Sequence, residues 1–529
     1  MLRTLFARVL LVAALLPAHA LAQLPPGVTR GVDVEGVTQF RLDNGLEVLF
    51  YPDDSKPTTT VNVTYKVGSR HENYGETGMA HLLEHLMFQG SPSVENLWKE
   101  FGKRGMEMNG TTFYDRTNYF ESFPASDENL AFALKVEAER MTQAFIRKSS
   151  LDSEMTVVRN EFESGENNPL MVLWQKMQAA SFDWHAYGKS TIGARSDIEN
   201  VDIGRLQAFY RTYYQPDNAV LVVAGKFDPK ATLEIVAREF GRIPKPAREL
   251  PRLYTSEPTA DGERSVTVRR TASAQYVGAL FHVMPGAHPD YAAMEALGEI
   301  MTVAPAGRLY QALVETRKAT SVQNWSFATY DPGPAIFFAQ VALGDPVAPA
   351  KDAMLATLFA VGDRPIAQEE LDRVRAKFLK DFDQTVNDPQ AFGVQLSEWI
   401  ALGDWRLFFL HRDRWRRLAP ADVTRVAAEW LKPANMTLGT FVPDAKPDRA
   451  PAVAAVDVNA LVAGYKGDAA VAAGEAFDPT PANLEARTER VKLGNGMTLA
   501  LLPKKTRGGI VRFSLRLRFG DEASLKDTS

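Results

Sequence analysis

The chain has 529 residues, no cysteine and a formal net charge of −5 at pH 7, with 45% hydrophobic and 24% charged residues. That balance reads as a globular protein of several ordinary-sized domains, and its mild acidity, with no basic tract interleaved with aromatics, argues against nucleic-acid binding. Without cysteine there are no disulfides, thiolate metal sites or cysteine nucleophiles, so any metal must be held by His, Asp or Glu.

In chain order, the N-terminus comes first. Arg3 and Arg8 precede the apolar run Val9 to Leu16, which Pro17 breaks, and Ala20-Leu21-Ala22 offers a small-x-small cleavage site before Gln23. This predicts a secretory signal peptide over 1–22 and export, with the periplasm as the expected compartment. The run is too short to span ~30 Å of hydrocarbon, and no later stretch reads as an integral membrane segment. After a Pro-rich connector (24–28), FRLDNGLEVLFYP (40–52) predicts two strands around an Asn44-Gly45 turn, and TTTVNVTYKVGS (58–69) alternates with the period of a half-buried strand. A helix containing His81, strands between Met106 and Phe123, further helices and an apolar strand in PDNAVLVVAGKFDP follow. The mixture predicts an α+β fold.

Two internal echoes set the domain plan. YYQPDNAVLVVAGKFDP (213–229) recurs loosely as WLKPANMTLGTFVPDAKP (430–447), each a helix end, Pro, Asn and an apolar strand. FRLDNGLEVLFYP returns more closely as VKLGNGMTLALLP (491–503), and the strand ending at Gly68 is expected again ending at Gly520. The expectation is a metal-binding domain at 33–245, a related non-catalytic domain at 262–445, an Ala/Pro/Asp/Gly-rich linker at 446–488 and the start of a third repeat at 489–529. Paired strands without a covering helix cannot bury a core, so the sequence reads as part of a longer protein.

The helix expected from about Thr77 to Phe88, reading MAHLLEHLMF (79–88), is apolar nearly all round and should be buried. His81 and His85 are i and i+4, which puts both imidazoles on one face a turn apart, the spacing of two ligands to one tetrahedral zinc. Glu84 projects beside them and can reach a metal-bound water without being a ligand. The bland alternative, two core histidines and a surface Glu, must find partners for three polar groups costly to bury. A catalytic zinc needs a third protein ligand and an open position. SSLDSEMTVVRNEFESGENNP (149–169) predicts a helix with Ser149 or Ser150 as N-cap and Pro169 opening the next. Glu154 and Glu161 lie two turns apart on a face with Val157 and Val158; either qualifies as the ligand, while Glu163 and Glu166 read as solvated surface charges.

His-x-x-Glu-His followed by this acidic helix resembles the pitrilysin/insulinase family of zinc peptidases, which includes the mitochondrial processing peptidases. Glu161 lies 76 positions after His85, and Glu154 seven before Glu161. The resemblance implies Glu161 as third ligand to one Zn2+ per chain and Glu154 as its support, orienting a zinc-bound histidine. GMEMNGTTFYDRTNYFESF (105–123) resembles the family's cleft strand, with Asn109 at the substrate-contacting position, and GRLYQALVETRKA (307–319) resembles a helix of its second domain. The implied fold is tandem homologous domains, each a mostly antiparallel sheet with helices packed on one face.

The implied activity is zinc-dependent endopeptidase action on peptides or unfolded polypeptides, Glu84 serving as general base. Family members enclose substrate between two halves, so the C-terminal half of the same protein is an expected partner, and the family's transition-state Arg/Tyr pair is expected there. Competing readings are a zinc hydrolase of another substrate, a structural zinc, and a zinc-retaining peptide-binding or assembly subunit without activity of its own.

Overall fold

The computed structural model describes residues 24–524 and Lys526, so the predicted leader over 1–22 lies outside the described residues. The chain divides into two compact units, Met1–Asp448 and Arg449–Ser529.

In the larger unit, β1 (Val28–Val34), β2 (Val37–Leu42), β3 (Glu47–Pro52), β4 (Thr58–Tyr65), β5 (Glu107–Thr112), β6 (Thr117–Pro124) and β7 (Ala219–Gly225) form one sheet in the order β1-β2-β3-β7-β4-β6-β5. Every pairing is antiparallel except that of β3 with β7. The Asn44-Gly45 signal closes the β2–β3 hairpin, and the Asn44 amide also donates to the carbonyls of Phe240 and Ile243 at 2.8 and 2.9 Å. Eight helices accompany this sheet: α1 (Met79–Leu86), α2 (Leu97–Lys103), α3 (Asp127–Gln143), α4 (Lys148–Glu166), α5 (Pro169–Ser181), α6 (Arg195–Glu199), α7 (Ile203–Tyr213) and α8 (Pro229–Glu239). Leu83, Leu134, Val158, Leu206 and Leu233 of these helices bury against Val61, Val63 and Leu221 on one face of the sheet.

A second sheet of the same unit has the order β10-β11-β9-β12-β8, built from β8 (Arg264–Arg270), β9 (Gln275–Val283), β10 (Ser321–Ser326), β11 (Gly333–Val341) and β12 (Met436–Pro443). Its helices are α9 (Tyr291–Thr302), α10 (Ala348–Phe359), α11 (Gln368–Val386), α12 (Pro389–Ala401), α13 (Leu407–Arg417) and α14 (Pro420–Trp430). Leu297, Met354, Leu371 and Val423 pack on one face with Ala279, Phe281 and Phe337. The looser sequence echo has a local cause. A 3₁₀ turn precedes both β7 and β12, and its Asn amide reaches back to the end of the preceding helix, Asn218 to the Tyr213 carbonyl at 3.0 Å and Asn435 to that of Trp430 at 2.9 Å.

The opposite face of each sheet is covered by a helix from the other half. In β7 every residue is buried: Leu221 and Val223 face the first sheet's own helices, while Val220, Val222 and Ala224 meet Phe392, Leu396 and Ile400 of α12. Reciprocally, Leu173, Trp174 and Met177 of α5 cover Leu280, Ile336 and Phe338 of the second sheet. Both covering helices open on proline behind a side-chain cap, Asn168 for α5 and Asp388 for α12. Each large side chain so buried contributes about 1.5–3 kcal/mol.

The smaller unit holds α15 (Val458–Val462), α16 (Pro481–Arg487) and a hairpin of β13 (Glu489–Lys492) and β14 (Thr498–Leu501), and none of its described residues is buried. The strand expected to end at Gly520 does not form; Val511, Phe513 and Phe519 are more than 80% exposed. The equivalent β4 is held between β6 and β7, and no described residues flank 510–519 in that way. Among the described residues no helix is long and apolar enough to cross a membrane.

Candidate metal centre

The helix carrying the three polar residues of the motif is α1, two residues shorter at each end than the expected 77–88. It starts behind Gly78, at φ +93°, where a Cβ would stand 2.7 Å from the Ile192 carbonyl oxygen. The open N–H groups of its first turn are met by a buried carboxylate: Glu72 accepts from Gly78 and Ala80 at 2.8 and 2.7 Å. Burial pushes the Glu72 carboxyl up to about 8, against the pull of those two donors. Met79, Ala80, Leu82, Leu83 and Leu86 are buried, leaving His81, Glu84 and His85 on the side towards α4 and β5.

The imidazole rings of His81 and His85 stand 4.9 Å apart and perpendicular. Each Nε2 lies 3.5 Å from Oε2 of Glu161 on α4, and the three donor atoms all fall within 4.8 Å of one another. Tetrahedral bonds of about 2.0–2.1 Å place neighbouring ligand atoms roughly 3.4 Å apart, so both measured edges fit one zinc-sized ion. His81 suits that role electrically: burial, and then the charge of His85, pull it down to about 4, keeping a neutral ring with a free lone pair. His85 is turned by Glu154, whose Oε2 lies 3.3 Å from its Nδ1 and whose Oε1 accepts from Gln89 at 2.8 Å. Of the two carboxylates that the α4 pattern left open, Glu161 therefore faces both rings and Glu154 only the far nitrogen of one.

Glu84 is directed elsewhere. Its Oε2 accepts from the Thr112 hydroxyl at 2.9 Å. Burial raises its carboxyl above the usual range, opposed by that hydrogen bond and by His85, with Glu161 adding a smaller upward push. A cavity of about 450 Å³ opens here, lined by the motif residues, by Glu154 and Glu161, and by the edge strand β5 from Asn109 to Thr112. Asn109 is exposed in β5, its Oδ1 accepting from Gly110 at 2.8 Å, so the Asn-Gly pair forms no turn. Gly110 permits close approach, since a Cβ there would lie 3.1 Å from Glu84 Oε1 and from Phe88 Cζ.

Two expectations need correction. Helix α4 starts at Lys148 with Arg147 at its N-cap and no side-chain cap, because burial of Leu151 sets its register while Ser149 stays in solvent. Glu163 is exposed as expected, but Glu166 is half-buried and paired with Arg270 at 2.7 Å. Sequence reasoning missed Thr112, Gln89 and Trp98, the last stacked on Phe88 at 5.4 Å in the cavity wall. Phe88 was within reach, one turn beyond His85; the others carry no local signal.

Comparison with known proteins places the chain in a family. The model described as "Insulinase (Peptidase family M16)" matches residues 48–195, and that of the "Peptidase M16 inactive domain" matches 200–378, together well over half the chain. The zinc protease PqqE of Helicobacter pylori is 28% identical over 441 residues, 81% of this chain and 96% of that protein. The probable zinc protease PqqL of Escherichia coli is 24% identical over 71% of this chain, but the match spans only 41% of PqqL. Among solved structures, a protease from Helicobacter pylori superposes with a TM-score of 0.74 at 26% identity, covering 77% of this chain and 99% of that one. The first half of the periplasmic protease PqqL gives 0.63 at 19% identity, a likeness of fold alone, over 78% of this chain and 93% of that one. With both family models matched in sequence order and the shared α+β fold in place, the chain belongs to the pitrilysin/insulinase family, peptidase family M16.

Proposed function

We propose that the chain is a zinc-dependent endopeptidase acting on peptides or unfolded polypeptides, with His81, His85 and Glu161 as ligands, Glu84 as general base, Glu154 as support for His85 and Asn109 as a substrate contact. The observation that carries the reading is the division of labour among carboxylates. Glu161 sits 3.5 Å from both imidazoles, while Glu84, on the same helix as the histidines, turns to Thr112 and stays free of them. A zinc ion held there by the two imidazoles and one carboxylate would supply a water of pKa near 7 and would polarise the scissile carbonyl. Glu84 takes a proton from the attacking water and returns it to the departing amine, which leaves poorly unless protonated. The upward push of burial on Glu84 suits a group that must both accept and release that proton. The free edge of β5 accepts an extended peptide as an added strand, reading backbone rather than sequence.

The same reading assigns 33–245 to the metal-binding domain, 262–445 to a companion without metal ligands, 446–488 to a linker and 489–529 to the opening of a third repeat. A C-terminal half of the same protein is the proposed partner. Export to the periplasm with cleavage before Gln23 is supported by the composition of residues 1–22 and by the periplasmic relative PqqL.

The test is hydrolysis of unstructured peptides by the complete gene product, wild type beside Glu84→Gln, with metal content measured in both. Cleavage lost in the variant while zinc is retained supports the assignment. Equal cleavage by both removes Glu84 as the base. Zinc-loaded protein that binds peptide but cleaves none, even as wild type, replaces the peptidase with a peptide-binding subunit.

A further inference from the structure

Glu398 stands on α12, in the half of the unit that holds no metal-ligand group, yet its carboxylate reaches the turn behind the cleft. Arg116, buried in the β5–β6 connection, donates through Nε to Glu398 Oε1 at 3.0 Å and through Nη2 to the same oxygen. The other arm of the guanidinium, Nη1, donates to the Thr111 carbonyl at 3.1 Å, to the Thr111 hydroxyl and to Asn118 Oδ1 at 2.7 Å. Thr111 lines the cavity, and the next residue, Thr112, holds Glu84. A continuous path therefore runs from α12 through one buried cation to the strand that orients Glu84.

The path starts from a fixed point. Asn118 donates to Asn62 Oδ1 at 2.8 Å, Asn62 donates to Ser397 Oγ and to the Gly393 carbonyl at 3.0 Å each, and Ser397 shares a hydrogen bond with Thr64 at 2.8 Å. Asn62, Thr64, Asn118 and Ser397 are all fully buried. Interior polar groups persist where they satisfy one another, and such a network tolerates little sliding. Ser397 thus locks α12 to β4 and β6, with Glu398 one residue on. Strand β5, paired only with β6, has no second neighbour to hold its end.

We propose that Glu398 is a positioning residue for the catalytic centre: through Arg116 it holds β5 at Thr111 and Thr112, and so fixes the Glu84 carboxylate from the opposite half of the unit. What the position accomplishes rests on the peptidase reading; the contacts do not. Removing the carboxylate leaves a buried guanidinium short of its counter-charge, which must then move. The ligands on α1 and α4 are not on this path.

The experiment uses the full chain with Glu398→Ala and Glu398→Gln, and reads hydrogen exchange of the 107–112 backbone in metal-free protein, peptide hydrolysis and bound zinc. In the Ala variant exchange across 107–112 quickens about tenfold and kcat falls about tenfold, with zinc bound as in wild type. In the Gln variant, whose amide oxygen still accepts from Arg116, both return to within about threefold of wild type. Unchanged exchange in the Ala variant overturns the proposal, as does loss of zinc and thermal stability in step with kcat in both variants. Wild-type protein that cleaves no peptide sinks the peptidase reading instead, and the exchange result then decides the positioning role alone.

Discussion

The reciprocal covering helices predict how the larger unit melts. Phe392 of α12 is fully buried on the first sheet, its ring 4.2 Å from that of Tyr51 and packed beside Phe408 and Phe409. Replacing it by Ala removes the ring and leaves a cavity, at a cost of about 3–5 kcal/mol. If the two sheets unfold together, the transition involves about 420 residues, and at ~2.1 cal/mol/K per residue its entropy is roughly 0.9 kcal/mol/K. The expected result is one calorimetric peak, displaced downward by about 3–6 °C. Were the halves independent, a half of about 200 residues would shift by roughly 7–12 °C while the other stayed in place. Scanning calorimetry of wild type, Phe392→Ala and the mirror variant Trp174→Ala on α5 separates the cases. Both variants should move the same single peak. Two resolved transitions, with only one displaced by either variant, would refute the interlock.

Two further outcomes follow from the centre and its surroundings. Glu154→Ala frees Nδ1 of His85 and strands the Gln89 amide, so metal affinity should fall about 10–100-fold in a chelator competition assay; unchanged affinity would remove Glu154 from any orienting role. His71 is pulled down to about 3, by burial first and then by Arg70, and its Nδ1 must stay unprotonated to accept from the Gly68 N–H at 3.3 Å. Below its unfolded value of 6.5 the unfolded chain binds the extra proton, so this contribution is whole above pH 6.5 and is lost as pH falls towards 3. The loss at pH 5 is about 2 kcal/mol, and a His71→Gln variant should show a correspondingly flatter acid limb in denaturant titrations.

What could be read from the chain was what local chemistry dictates. The Asn-Gly signal marked the β2–β3 hairpin, alternation marked β4, the doubled Pro-Asn pattern marked the two helix-to-strand junctions, and a buried helix carrying three polar residues at ligand spacing marked α1. The pairing of Glu161 with both imidazoles needed resemblance, because Glu154 and Glu161 are alike in spacing and local context. The serines now inside the first turn of α4 suggested a cap that burial of Leu151 overrode. Thr112, Gln89, Arg116 and Glu398 were illegible for one reason: each acquires its partner only when distant strands and helices meet. The exchange of α5 and α12 was equally hidden, since an apolar helix face does not say which sheet it will cover.

That exchange also orders events during synthesis. Strand β7 ends at Gly225 and the helix that covers its outer side begins only at Pro389. A product cut off between those points could assemble α1, α4 and the first sheet, yet would present Leu49, Val220, Val222 and Ala224 uncovered. Premature chains would thereby be sticky, proteolysis-prone material, and a first sheet covered on both faces becomes the privilege of polypeptides that have already emerged through Ala401.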